Sequence, residues 1–320
     1  MEQPLLSVFV ITYKHAAYIE QTLNSILIQE TVFDYEVIVA NDCSPDNTSE
    51  IIHSIVQTHP RGHLIKYFEQ EENVGMYGNF MFALNQCQGK YIAICEGDDY
   101  WTDPLKLQKQ VDFLEGNPEF EVCFTNIRIV DENDVITKKA LITDNRKTDY
   151  IKKDLPIWAP TLTRVFRNRD FSSLPSAPGL DTVMLLWQSQ YGKIKFLNEV
   201  TGTYRLHEGG IYSSQTEAKR KEQNLLTNLA SLKLIETSLY SKYFGMLFKK
   251  LVEIRFLEAS IFKKNKNLVK EAFQSYKAQM PLGLQFKIHF SFLLISIPFI
   301  ELNKQLKDFL IKVLNRLFIY

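Results

Sequence analysis

Three carboxylates, Glu96, Asp98 and Asp99, lie within four consecutive residues. They follow Tyr91 to Cys95, a short apolar run between glycines that is typical of a fully buried strand. Like charges so close together repel one another, and a divalent cation would remove the conflict. Oxygen ligands favour Mg²⁺ or Mn²⁺, which are often shared with substrate phosphates. The pattern therefore indicates a metal-assisted phosphate site, and the alternative is a solvated acidic turn before a helix.

The elements before residue 116 repeat one order, a buried strand followed by an amphipathic helix. The predicted strands are Leu6–Thr12, Tyr35–Ala40, Leu64–Phe68 and Tyr91–Cys95. Short connections between alternating strands and helices predict an α/β fold with a doubly wound, mostly parallel sheet. Ligands bind beyond the carboxyl ends of such strands, so the polar loops that follow them should converge on one crevice.

After residue 116 the pattern changes twice. Further strands are predicted at Val122–Val130, Thr161–Phe166, Ile194–Val200 and Thr203–Leu206, with an irregular loop over 137–157 and a helix over Asp181–Tyr191. From about residue 216 the strand signals end and long helical runs begin. We therefore predict a catalytic domain over 1–215 and an all-helical extension over 216–320, with the boundary in Tyr212–Gln215.

Composition excludes several classes of protein. Lys+Arg and Asp+Glu are both 37 in a chain of 320 residues, a balance that argues against a nucleic-acid-coating protein. The four cysteines lack the spacing of a zinc site. The amino terminus reads as a first strand and not as a signal peptide, and no apolar run reaches the length of a spanning helix. We expect a cytoplasmic protein.

Seven sequence elements carry a resemblance to a known family. They are Thr12-Tyr13, NDCSPDNT at 41–48, Asn73-Val74-Gly75 with Asn79, EGDDYWTDP at 96–104, PTLTRVFRNR at 160–169, GLDTVMLLW at 179–187 and TYRLHEGGIYS at 203–213. In this order they resemble glycosyltransferase family two, which has the GT-A fold. The resemblance covers about the first 215 residues.

The resemblance implies a nucleotide-sugar site, in which Asp42 would accept a hydrogen bond from the uracil imide. Asn41 stands where relatives often have another acid, and Glu96 stands where they have aspartate. The donor-contacting residues that it implies are Thr12, Tyr13, Asp42, Asn73, Gly75, Asn79, Asp98, Arg205 and His207. Glu96, Asp98 and Asp99 resemble the acidic motif that holds Mn²⁺ or Mg²⁺ against the diphosphate, and the sequence leaves open which of them ligates the ion.

Asp181 resembles the family's catalytic base at the start of a helix; the alternative is a carboxylate that merely stabilises the helix N-terminus. A base on the face opposite the leaving diphosphate would invert the anomeric carbon. Arg205 and His207 lie in a glycine-flanked loop that would contact the diphosphate or the metal on closing.

The resemblance implies an inverting transfer of a sugar, from a UDP-sugar, to an acceptor hydroxyl of capsule, O-antigen or exopolysaccharide. The acceptor would be a glycan or a lipid-linked glycan. The alternatives are a non-catalytic scaffold in a glycan synthesis complex and a sugar-nucleotide nucleotidyltransferase. The apolar run Phe290–Ile300 and the basic amphipathic segment after it indicate peripheral contact of 286–320 with the inner membrane face. The alternative is helical packing within the chain or in a homo-oligomer.

Overall fold

The computed structural model describes residues 3–143, 145–210, 215–296 and 304–318. The chain forms two compact units, Met1–Ser173 with Gln188–Glu208, and Leu174–Trp187 with Gly209–Tyr320. The boundary predicted in Tyr212–Gln215 falls largely on 211–214, which lie outside the described residues, and it stays a prediction.

The first unit begins with the predicted alternation of strands and helices. The strands are β1 (Leu6–Thr12), β2 (Tyr35–Asn41), β3 (Ile65–Glu69) and β4 (Tyr91–Glu96), and the helices are α1 (Ile19–Leu27), α2 (Thr48–Thr58), α3 (Gly75–Gln86) and α4 (Lys106–Gly116). The four strands are parallel in the order β3-β2-β1-β4. β1, β2 and β4 are almost wholly buried, as expected of strands with covered faces. The predicted doubly wound, mostly parallel sheet is confirmed.

The sheet continues with shorter and partly antiparallel strands. They are β5 (Tyr100–Trp101), β6 (Phe120–Val130), β7 (Ile136–Lys138), β8 (Asp149–Tyr150), β9 (Val165–Arg167) and β10 (Lys193–Arg205). β9 runs antiparallel between β4 and β6, and β10 runs parallel to β6. The two strands expected at Ile194–Val200 and Thr203–Leu206 form the single strand β10, with register shifts where we expected a break. Gly202 lies within this strand. Glycine suits the position because a Cβ there would lie 2.6 Å from Leu162 Cδ1.

The segment 137–157 is largely irregular, as predicted, yet it is packed on the sheet. Ile142, Tyr150 and Leu155 are buried. The backbone N–H of Ile142 donates to Asn126 Oδ1 at 2.8 Å, and Asn126 Nδ2 donates to the Ile142 carbonyl at 2.8 Å. These contacts hold the segment against β6.

The second unit is helical over its described residues. Its helices are α5 (Leu180–Gln188, which extends one residue past the unit), α6 (Glu217–Ser231), α7 (Tyr240–Arg255), α8 (Ala259–Tyr276), α9 (Leu282–Leu294) and α10 (Lys304–Leu317). Phenylalanines form much of its core: Phe248 contacts Phe292 and Phe318, with ring centroids 4.9 and 5.9 Å away. Among the described residues, none of the helices has the length and apolarity needed to cross a membrane. The predicted apolar run Phe290–Ile300 extends into 297–300, which lie outside the described residues.

Candidate functional site

The turn after β1 is fastened to the loop after β2. The backbone N–H groups of Lys14 and His15 donate to Ser44 Oγ and Thr48 Oγ1, at 2.9 and 3.1 Å. Lys14 has a φ of 59°, a left-handed conformation that these bonds help to hold. Tyr13 is 37% exposed at the tip of this turn. Its ring is therefore presented to solvent from a fixed backbone.

Asp42 follows β2 and connects three elements. Its N–H donates to the Thr12 carbonyl at 2.9 Å, and its Oδ1 accepts the Val74 N–H at 2.7 Å. Asn73 Nδ2 donates to the Asp42 carbonyl at 3.2 Å, and Gly75 next to it has a φ of 78°. Four residues that we predicted to contact the nucleotide-sugar donor thus lie together at the carboxyl ends of β1 and β2. They are Thr12, Asp42, Asn73 and Gly75.

Asn79, another predicted contact of the nucleotide-sugar donor, is buried and bonded to protein groups. It is 2% exposed, and its Nδ2 donates to the Ala40 carbonyl at 2.8 Å while its Oδ1 accepts from Gln70 Nε2. Asn41 is also buried, where it bonds Ser49, Tyr67 and Ser44. Both amides hold the ends of β2 and β3 in place.

The acidic motif forms a tight turn between β4 and β5. The Asp99 N–H donates to the Glu96 carbonyl at 3.1 Å, and Thr22 Oγ1 donates to the Asp99 carbonyl at 2.7 Å. A Cβ on Gly97 would lie 2.7 Å from Thr12 Oγ1 and from His15 Nδ1. A glycine is therefore needed for the turn to pack against the end of β1.

Asp98 lies between two imidazoles that come from distant parts of the chain. His207 Nε2 is 3.1 Å from Asp98 Oδ2, and His15 Nε2 is 3.7 Å from the same oxygen. Tyr18 packs against His207 with ring centroids 4.8 Å apart. His15 was not among the predicted site residues; its only signal in the sequence is its place in the same turn as Tyr13.

The two adjacent aspartates differ in their electrostatics. Burial acts to raise the pKa of Asp98, but the hydrogen bond from His207 and the charges of His15 and His207 outweigh it and lower that pKa. The pKa of Asp99 is well above its ordinary value because of burial and of the charges on Asp98 and Glu96. Asp98 therefore carries the negative charge of the pair.

Arg205 is enclosed by protein contacts. Its backbone N–H donates to Asp99 Oδ1 at 2.9 Å and its Nε donates to the Asp98 carbonyl at 3.2 Å. Its two terminal nitrogens bond Asp134, at 2.8 Å, and Gln21. The side chain is 2% exposed. Arg205 thus connects the acidic turn to the end of β10 instead of pointing into solvent.

The chemistry of Asp98 and His207 would suit a divalent metal ion. Among the described residues, no group of three or more His, Cys, Asp or Glu side chains is arranged to hold a metal ion by itself. An ionised carboxylate with an imidazole 3.1 Å away nevertheless supplies oxygen and nitrogen ligands that suit Mn²⁺. Asp99 is less suited, because burial raises its pKa and Arg205 N–H occupies one of its oxygens.

Asp181 belongs to the second unit, in the first turn of α5. The start of this helix is fixed by α6, since the Gly179 N–H donates to Thr227 Oγ1 at 2.9 Å. A Cβ on Gly179 would lie 2.7 Å from that oxygen, so glycine permits the close approach. A carboxylate at a helix N-terminus is stabilised there by the helix dipole.

The sequence profile described as glycosyl transferase family 2 matches residues 7–174, and the chain belongs to this family. An uncharacterized protein of Mycobacterium tuberculosis is 33% identical over 219 residues, which cover 68% of this chain and 63% of that protein. The chain thus spans less than two thirds of that relative. TuaG of Bacillus subtilis, a putative teichuronic acid biosynthesis glycosyltransferase, is 29% identical over 226 residues, which cover 68% of this chain and 86% of TuaG.

Solved structures show the same fold. S. aureus TarS 1–349 in complex with UDP-GlcNAc has a TM-score of 0.64 at 17% identity, covering 91% of this chain and 90% of TarS 1–349. The mannosyltransferase PcManGT of Pyrobaculum calidifontis, in complex with GDP-Man and Mn²⁺, has a TM-score of 0.54 at 14% identity, covering 99% of this chain and 86% of that one. The fold is therefore that of GT-A glycosyltransferases, as the resemblance implied.

Proposed function

We propose that this chain is an inverting, metal-dependent glycosyltransferase that transfers a sugar from a UDP-sugar to an acceptor hydroxyl during cell-surface polysaccharide synthesis. The observation that carries the proposal is the pairing of Asp98 with His207 at the carboxyl end of the sheet. An ionised, partly exposed carboxylate facing an imidazole at this edge supports binding of a metal–diphosphate group.

The nucleoside would lie over the ends of β1 and β2. Asp42 Oδ1 already accepts the Val74 N–H, so its second oxygen would accept the imide N–H of uracil. The exposed ring of Tyr13 would stack on the base or ribose. A guanine presents different donors and acceptors at this position, and the complexes of TarS with UDP-GlcNAc and of PcManGT with GDP-Man make the base the first property to test.

Asp98 and His207 would hold the divalent ion, Mn²⁺ or Mg²⁺, with Glu96 at the end of the adjoining strand. When bound, the ion would neutralise charge on the diphosphate as the nucleotide leaves. Asp99 and Arg205 take a positioning role in this proposal. Their bonds fix the backbone of the acidic turn and orient Asp98.

Asp181 would be the general base. The acceptor oxygen forms a bond to the anomeric carbon, the bond from that carbon to the diphosphate oxygen breaks, and the hydroxyl proton passes to the Asp181 carboxylate. One displacement on the face opposite the leaving group inverts the anomeric configuration. The products are the glycosylated acceptor and the nucleoside diphosphate.

The acceptor is proposed from the relatives alone. TuaG is named for teichuronic acid biosynthesis, and a chondroitin synthase of Pasteurella multocida is 26% identical over 230 residues, which cover 70% of this chain and 23% of that protein. These names favour a glycan, or a lipid-linked glycan, of the cell envelope.

Release of sugar from a panel of UDP- and GDP-sugars, with and without Mn²⁺, tests the proposal. Wild type should slowly hydrolyse one UDP-sugar in the presence of the ion, and Asp98→Asn should not. A protein that hydrolyses none of the donors but still binds a glycan would be the scaffold of the alternative reading. Formation of a nucleotide-sugar from a sugar phosphate and UTP would instead identify a nucleotidyltransferase.

A further inference from the structure

Helix α9 exposes a continuous apolar stripe. Leu282, Phe286, Phe290 and Leu293 are 83, 72, 40 and 69% exposed. Their spacing of four, four and three residues places them on one side of the helix. Exposed apolar residues elsewhere in the described chain, such as Val32 and Val135, do not form such a stripe in sequence. The α9 stripe, defined by these four residues, is therefore a distinct surface.

The opposite side of α9 is packed into the helical core. Leu284, Ile288 and Ser291 are buried. Phe292 contacts Phe248 of α7 with ring centroids 4.9 Å apart. The helix is thus apolar on both sides, a composition typical of a helix that is covered all round. Large exposed apolar patches mark sites of interaction.

The sequence that contains this stripe is strongly basic. Residues 216–320 contain 18 Lys and Arg against 8 Asp and Glu, a formal charge of +10. Residues 1–215 contain 19 Lys and Arg against 29 Asp and Glu, a formal charge of −10. The zero net charge of the chain is therefore the sum of two segments of opposite charge. On α10 the exposed basic residues are Lys304, Lys312 and Arg316, and Phe309 there is 57% exposed.

We propose that the α9 stripe, together with the basic residues of α10, binds the surface of an anionic phospholipid bilayer. Apolar side chains would enter the boundary between headgroups and acyl chains, while lysines and arginines contact lipid phosphates. α9 has 13 residues and is about 20 Å long, which suits a helix lying in the membrane surface.

Charge favours lipid over a symmetric contact between two copies of this same surface. Two identical surfaces of the same positive sign repel each other, whereas anionic headgroups attract both. This inference rests on the helical residues alone and is independent of the proposed sugar transfer.

Sedimentation of the full chain with vesicles tests the proposal. Vesicles of phosphatidylcholine are compared with vesicles that contain 3 parts in 10 of phosphatidylglycerol. The variant is Leu282→Ser/Phe286→Ser/Leu293→Ser, and the matched control is Val32→Ser/Val135→Ser, which removes exposed apolar side chains from the first unit. Circular dichroism checks that both variants fold.

Wild type and the control should bind the anionic vesicles, and the triple variant should bind at least roughly 100-fold more weakly. Lys304→Glu/Lys312→Glu should also weaken binding, and added salt should weaken it further. Equal binding of wild type and the triple variant would overturn the proposal. So would an absence of vesicle binding, in which case a wild-type dimer that the triple variant lacks would assign the stripe to self-association.

Hydrogen exchange of wild type provides a test without any substitution. Amides of 282–294 should become more protected when anionic vesicles are added. Unchanged exchange there, in protein that sediments with the vesicles, would place the contact elsewhere and contradict the proposal.

Discussion

The acidic turn of the first unit and the α9 stripe of the second are opposite exceptions to the usual burial of apolar and exposure of ionisable side chains. In and beside the turn, ionisable groups are buried: Asp99 and Arg205 are 2 and 3% exposed. In the stripe, Leu282 and Phe286 are mostly in solvent. Buried charge and exposed apolar surface both cost stability, so each feature points to a ligand or to an internal partner. The partners of the turn are visible as hydrogen bonds, whereas those of the stripe are inferred from charge.

The largest effect should come from removing the proposed base. Asp181→Asn should lower kcat by about 1,000-fold, because the acceptor proton then has no carboxylate to receive it. The affinity for UDP should be unchanged, since that nucleotide is assigned to the first unit. Steady-state kinetics and titration calorimetry separate the two quantities. Asp170→Asn, a surface control in the first unit, should change neither.

A retained kcat in Asp181→Asn would contradict the proposed role of Asp181 as general base. So would a loss of UDP affinity equal to the loss of rate. Vesicle binding should be the same in this variant as in wild type, because the α9 stripe is intact.

The pH dependence of stability caused by Lys106 tests whether the first unit tolerates a buried positive charge. It is fully buried with its Nζ 4.1 Å from the centre of the Trp101 ring, and within the described residues that Nζ has no hydrogen-bond partner. Burial lowers the pKa of Lys106 to about 7. The unfolded chain, with a pKa of about 10.5, binds more protons between these values, so stability rises with pH from 7 toward 10.5 and is lost as pH falls.

Lys106→Met should remove this dependence. The gain in unfolding free energy from pH 7 to 9.5 should be about 3 kcal/mol smaller in the variant than in wild type. Urea denaturation at the two pH values measures it. Lys109→Met, at an exposed position of the same helix, should leave the dependence unchanged. Parallel curves for wild type and Lys106→Met would show that Lys106 keeps its charge when buried.

A smaller effect is expected from Arg205, which acts through the acidic turn. Arg205→Met should lower kcat/KM by about tenfold and raise the Mn²⁺ concentration needed for half-maximal activity, because Asp98 loses its support. Arg205→Lys should restore part of both. Arg167 bonds the backbone carbonyls of Phe120 in β6 and Leu114 in α4, so Arg167→Met should lower the melting temperature without changing the Mn²⁺ dependence. Equal Mn²⁺ curves for Arg205→Met and wild type would reduce Arg205 to a structural role.

The sequence predicted local features well. β1 has the predicted bounds, β2 and β4 are one residue longer at the carboxyl end, and β3 is shifted by one residue at both ends, because continuous apolar runs define buried strands. The sequence did not reveal β5. This strand has only two residues, and the part of β10 that pairs with it lies about 100 residues away along the chain. β10 was divided in two because a glycine needed for close packing reads like a strand end.

The site shows the same contrast between local features, which the sequence predicts, and contacts of distant segments, which it does not. The positions of the acidic motif and of Asp42 at strand ends could be predicted from the sequence, but the electrostatic difference between Asp98 and Asp99 could not. It depends on His15, His207 and Arg205, which the fold brings to the acidic turn from two other segments. Gln21 and Asp134, the partners of the Arg205 guanidinium, carry no motif at all.

Titration calorimetry with UDP tests most directly the proposed nucleotide-sugar site, in which Asp98 would hold the metal. Wild type and Asp98→Asn are titrated with and without Mn²⁺. The site predicts that Mn²⁺ strengthens UDP binding to wild type, and that Asp98→Asn weakens the Mn²⁺-dependent binding by about 10- to 100-fold. UDP binding that is indifferent to both Mn²⁺ and Asp98→Asn would contradict it. Binding of GDP in place of UDP would keep the Asp98 site and overturn the role given to Asp42.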